Sequence, residues 1–139
     1  MMYSTIGKLR YSINDNIYKA VLEVDPEISN YYFSLIPKYI DINRPRYKPH
    51  ITVCRPYKEI PKNLEYWGKY EGEEIEVFYS PIVRSGQFYF WLDFFSVRLE
   101  DIKLELGLIV DGPFGIPPKG YRKFFHMTLG NRKGFVNES

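Results

Sequence analysis

The stretch "PHITVC" at residues 49–54 decides how this chain is read, because its pattern returns at residues 125–129 as "FHMTL". The two stretches hold both histidines of the protein, His50 and His126, and each is followed two positions later by a threonine, Thr52 or Thr128. On a β-strand, residues two apart share a face. His50 and Thr52 therefore project together, opposite Ile51 and Val53. His126 and Thr128 do the same, opposite Phe125, Met127 and Leu129. In both copies the second face is wholly apolar and should pack on a helix, leaving the His/Thr face open. Thr5 is the only other threonine in the chain. Chance gives both histidines a threonine at that spacing about once in two thousand, before the matching apolar neighbours are required.

Working outward, the flanks of each motif also match. "IYKAVLEV" (17–24) reads as a strand and stops at Asp25-Pro26. Aspartate is a good helix N-cap, and proline suits the first helical position, where its missing N–H costs nothing. Ile28, Tyr32, Leu35 and Ile36 then fall on one helical face, and Pro37 limits the helix. The second copy runs from "GQFYFWLDFF" (86–95) through Ser96, a candidate N-cap, into "VRLEDIKLEL" with Leu99, Ile102 and Leu106 on one face and Gly107 as a stop. A Gly/Pro-rich loop leads to the last strand, "KFFHMTLG" (123–130). Residues 3–13 read as an edge strand, 73–80 as an alternating strand, and 56–72 as loop with a helical turn around "NLEYWGKY". The fold class expected is α+β: one domain, residues 1–139, of two pseudo-symmetric β–α–β lobes with mainly antiparallel sheets lining a cleft.

Composition is that of a soluble globular domain, with 45% hydrophobic and 26% charged residues. The single cysteine, Cys54, excludes an internal disulfide and, with two histidines, makes a zinc site a poor reading. Cys54 shares parity with His50 and Thr52 and is expected at the cleft edge or, more simply, as a small packing residue. A reducing compartment such as the cytoplasm fits, and the N-terminal stretch has no apolar run suited to a signal peptide or membrane span. Net charge is only +2, yet residues 44–58 and 119–133 each carry five basic residues and no acid, while the rest of the chain sums to −8. Positive charge surrounding both histidines suits an anionic ligand.

Imidazole titrates near neutrality, so a pair can supply a base for a nucleophile and an acid for a leaving oxygen, each worth on the order of 10²–10⁴ in rate. Threonine hydroxyls on the same face can hold nonbridging phosphate oxygens, and neighbouring Lys and Arg can stabilise the charge that develops. No cofactor or metal is required. Tyr47 and Tyr121, each beside a motif and a basic residue, are candidates for base stacking; Arg122 and Lys123 are candidates for phosphate contact.

"HITV" and "HMTL" resemble the paired H-x-[TS]-x motifs of the 2H phosphoesterase superfamily, which includes LigT-like 2'-5' RNA ligases and cyclic phosphodiesterases. The resemblance covers about eight residues in motif and most of the chain in architecture. It implies a bilobed fold, His50 and His126 as the acid/base pair, and Thr52 and Thr128 as phosphate ligands. It also implies a nucleotide or oligonucleotide as the partner: 2',3'-cyclic phosphates, RNA ends, 2'-5' oligonucleotides or, as in compact viral members acting in host cytoplasm, cyclic oligonucleotide defence signals. The sequence suggests no membrane, and no obligate protein partner is inferred. The reading from another class is a non-catalytic module that binds single-stranded RNA on exposed aromatics.

Overall fold

The computed structural model describes residues 1–110 and 115–133. Among these, eight strands and two α-helices run in the order β1 (Tyr3–Asn14), β2 (Ile17–Glu23), α1 (Pro26–Ser34), β3 (Ile42–Asn43), β4 (His50–Cys54), β5 (Glu74–Tyr79), β6 (Arg84–Ser85), β7 (Tyr89–Phe95), α2 (Val97–Glu105) and β8 (Phe125–Arg132). The class is α+β and every strand pairing is antiparallel. A short 3-10 turn, Leu64–Tyr66, lies in the expected loop. No helix among the described residues is long and apolar enough to cross a membrane.

Local chemistry explains the helices. Asp25 accepts from the Glu27 N–H at 3.0 Å with Pro26 in the first turn. Ser96 accepts from the Leu99 N–H at 3.1 Å. At the far end of α2, Gly107 takes φ +78°, its N–H reaches the Leu104 carbonyl, and the Leu108 N–H reaches that of Lys103. Those paired bonds form a Schellman stop, which needs the left-handed conformation glycine adopts cheaply. Tyr32 and Ile36 are buried, as are Leu99, Ile102 and Leu106. Leu35 is instead 53% exposed. The helix ends at Ser34, and Leu35 at its C-cap turns away from the face carried by Tyr32 and Ile36.

The strand order is β3-β8-β4-β2-β1-β5-β7-β6, and β7 and β8 also pair. Strand β1 is therefore not an edge: it pairs with β2 on one side and β5 on the other. Its alternation is weak because Ile6 and Ile13 stay exposed while Leu9 is buried. All eight strands belong to one sheet, in which Ile51 of β4 meets Met127 of β8 and Phe78 and Tyr79 of β5 meet Phe95 and Phe94 of β7. Helix α1 lies against β8 and α2 against β4, so each motif strand is backed by a helix. Ile51, Val53, Phe125, Met127 and Leu129 are all buried in one continuous core, as the apolar faces of the motifs demand.

Both motif strands carry a β-bulge at the same motif position. Ala20 faces Cys54 and Val21 faces Thr52, so Val53 is the extra residue of β4. Phe90 faces Gly130 and Trp91 faces Thr128, so Leu129 is the extra residue of β8. A bulge bends the strand and breaks the alternation beyond it. Cys54 is consequently fully buried rather than at a cleft edge, its thiol within 3.6 Å of the Tyr18 carbonyl and pushed up to about 11 by burial. Gly130 is required after the second bulge, because a Cβ there would meet the Asn43 carbonyl of β3 at 2.7 Å.

Candidate functional site

The site is built by register. Ile51 pairs with Met127 across antiparallel β4 and β8. Continuing that register sets His50 beside Thr128 and Thr52 beside His126, all on the face opposite the buried Ile51 and Met127. Directly opposed residues stand about 5 Å apart at Cα and diagonal ones about 7–8 Å. The imidazoles thus occupy one diagonal of a rectangle and the threonines the other. All four residues are half-buried.

Each histidine also faces an acid on its other neighbour: His50 lies opposite Glu23 of β2 and His126 opposite Asp93 of β7. The two acids are used differently. Glu23 turns toward Arg10, 3.3 Å away. Asp93 is only 5% exposed and stays with the histidine, its Oδ1 standing 3.7 Å from His126 Nδ1. Trp91 Nε1 donates to Oδ1 at 3.0 Å and Arg84 donates to Oδ2 at 3.2 Å. Burial alone would raise this carboxyl; the His126, Trp91 and Arg84 contacts outweigh it and hold Asp93 below its ordinary value, ionised at neutral pH. The Trp91 ring meets the His126 ring edge-on at 5.9 Å.

His50 is fixed by its own strand entry: Nδ1 lies 2.7 Å from the Lys48 carbonyl, which can only accept, so Nδ1 carries the proton and Nε2 is left for the open face. Burial lowers its pKa below 6.5, Lys19 pushes the same way, and the Lys48 carbonyl and Glu23 oppose it. Behind Thr52, the Val53 carbonyl accepts from Lys103 Nζ at 2.8 Å. Lys103 is 2% exposed and also pairs with Glu59 at 3.1 Å. A buried ammonium thus ties the bulge of β4 to helix α2.

Of the eight residues singled out in the sequence, the four motif residues share this face. Tyr47 is exposed, with the ammonium of Lys19, whose charge also acts on His50, 4.9 Å above its ring. The other three lie toward α2. Tyr121 packs on Phe95 with ring centroids 5.4 Å apart. The Arg122 and Lys123 N–H groups both donate to the buried Glu100 carboxylate, and the Arg122 guanidinium lies 3.6 Å from it. Lys123 Nζ sits over the Phe125 ring on the core side. Asp93, Trp91, Arg84, Lys19 and Lys103 were not anticipated. A single carboxylate inside the aromatic run "FYFWLDFF" was the available signal for Asp93. Two surface hollows elsewhere, of about 280 and 400 Å³, are lined around Phe33–Ile42 and around Tyr3, Tyr31, Tyr32 and Tyr79, with no histidine in either.

Comparison with protein-family models, with curated proteins and with solved structures finds no match to this chain.

Proposed function

We propose that this chain is a metal-independent phosphodiesterase acting on a nucleotide or oligonucleotide phosphodiester, with His50 and His126 as its acid/base pair. The observation that carries the reading is the Ile51–Met127 pairing, which brings two His/Thr pairs from strands 76 residues apart onto one face. A purely structural histidine has no reason to recur with the same threonine, an acid on the facing strand and the same bulge. The bilobed 2H arrangement belongs to this proposal. In it, the runs β4-β2-β1-β5 and β3-β8-β7-β6 of the single sheet would form the two lobes, and the matched bulges support a duplicated unit.

In the proposed reaction a phosphate group sits between the imidazoles with nonbridging oxygens on Thr52 and Thr128. One imidazole removes the proton from water, or from a ribose 2'-hydroxyl, as that oxygen bonds to phosphorus. The P–O bond on the opposite side breaks, and its oxygen takes a proton from the other imidazole. Water as nucleophile opens a 2',3'-cyclic phosphate; a 2'-hydroxyl gives a cyclic phosphate and a released strand. Both routes use the same pair.

A substrate panel resolved by mass spectrometry tests this: 2',3'-cyclic nucleotides, 2'-5' and 3'-5' oligonucleotides, and cyclic di- and trinucleotides, including those used as defence signals. Turnover of one class, lost in His50→Ala and in His126→Ala, is the expected result. Binding of single-stranded RNA that survives both changes, with no turnover of any member, would replace the enzyme by the RNA-binding module.

A further inference from the structure

Resting on the phosphodiesterase reading, we propose that Asp93 is a positioning residue that makes His126 the general acid and leaves His50 as the general base. The two imidazoles are matched by motif but not by what stands behind them. His50 Nδ1 is held by a neutral backbone carbonyl, that of Lys48, at 2.7 Å. His126 Nδ1 faces a buried carboxylate, Asp93, at 3.7 Å. Both arrangements leave Nε2 for the open face, but only the second supplies a counter-charge for an imidazolium. The 3.7 Å separation is roughly 0.5 Å beyond a hydrogen bond, and such contacts tighten when substrate is bound.

The rest of the surroundings agrees. Asp93 is not free to leave: Trp91 Nε1 and the Arg84 guanidinium occupy its two oxygens, and its backbone carbonyl accepts from the Ser80 N–H. The pseudo-equivalent acid, Glu23, is drawn to Arg10 instead, while the Lys19 ammonium acts against a second positive charge at His50. Among the described residues, the charged groups facing His126 include Asp93 on β7, with Arg84 on β6 behind it, and His50 across the pairing with β4. Around His50 they include Glu23 and Lys19 on β2 and His126 on β8. One imidazole is thus provided for as a cation and the other as a neutral base. As general acid, His126 enters the step with a proton on Nε2. That proton goes to the leaving oxygen as the P–O bond breaks, and His50 Nε2 takes the proton of the attacking hydroxyl. Solvent exchange resets both.

The leaving group separates the roles. A nucleotide nitrophenyl ester releases a phenolate that needs no proton; a nucleoside 5'-hydroxyl does need one. With the nucleoside leaving group, His126→Ala and Asp93→Asn should lose about 10²-fold or more in kcat. With the nitrophenyl ester, most of that loss should vanish, whereas His50→Ala should lose as much on both substrates. In Asp93→Asn the alkaline limb of kcat/KM should move to lower pH while the acidic limb stays. Imidazole ¹⁵N spectra of neutral His126 should show the proton on Nδ1, and Asp93→Asn should mix the tautomers. Recovery by the aryl ester in His50→Ala instead of His126→Ala would reverse the roles and overturn the inference, as would an Asp93→Asn enzyme with wild-type profile and spectra. Should Asp93→Asn not fold, the two histidine variants on the two esters still decide the assignment. Turnover that requires both histidines but shows neither pattern sinks this inference alone; absence of any turnover sinks the phosphodiesterase reading with it.

Discussion

Replacing Lys103 by methionine probes the bulge that shapes the first motif. The ammonium is almost wholly buried and gives the Val53 carbonyl its partner at 2.8 Å and Glu59 its ion pair at 3.1 Å. Breaking a buried pair from one side costs about 3–5 kcal/mol, because the remaining charge is left in a poor solvent. Glu59 keeps the Arg55 backbone N–H at 3.0 Å and its Nε at 3.2 Å, and methionine fills the aliphatic path of the lysine, so the low end, about 3 kcal/mol, is expected. For a chain of this size that is a drop in Tm of about 10 °C. Urea unfolding followed by the emission of Trp67 and Trp91 measures it, and the double change with Glu59→Gln should recover part of the loss. Destabilisation of the single variant by less than about 1 kcal/mol would refute the view that this lysine clamps the bulge.

Three further outcomes follow from the site. Burial holds the His50 pKa below 6.5, so the unfolded chain binds the proton first, and stability should fall as pH drops through 6.5 toward the folded value, with no further loss from this group below it; Asp93, held below 3.8, contributes stability above 3.8 that is lost only as pH falls through its folded value, and paired urea titrations of wild type and variants separate the two. Thr52→Ser and Thr128→Ser should keep most activity, whereas Thr→Val at either position should cost roughly 10–100-fold in kcat/KM with small change in stability, since the hydroxyls face the open side. Incubation with EDTA should leave turnover unchanged, and loss restored by a divalent ion would contradict the proposed chemistry.

What could be read in the sequence was what local chemistry decides. The Asp25-Pro26 and Ser96 caps, the Gly107 stop and the apolar faces of both motifs need only neighbours within a turn or a strand. The position of β1 at the centre of its sheet was not legible, because edge or centre is a property of partners more than 60 residues away. Strands β3 and β6 are two residues long and exist only through pairing with β8 and β7. Cys54 is the small packing residue of the simpler reading; the cleft-edge alternative fails because a bulge adds one residue without a local marker, and parity counted from His50 does not hold beyond Val53. Tyr121, Arg122 and Lys123 looked like companions of His126 by proximity in sequence, yet the Glu100 carboxylate draws their segment toward α2. Asp93 was visible as a charge among aromatics, but its meaning comes from the β7–β8 register that sets it against His126.

The central claim is that His50 and His126 meet at one phosphorus atom. Titration with uridine vanadate, a trigonal bipyramidal mimic of the phosphoryl transition state, while following the Nε2 resonances of both imidazoles by ¹⁵N NMR, tests it directly. The account predicts that both resonances shift together with a single midpoint, and that Thr52→Val weakens the two responses equally. A response confined to one histidine, or two responses with different midpoints, would contradict it.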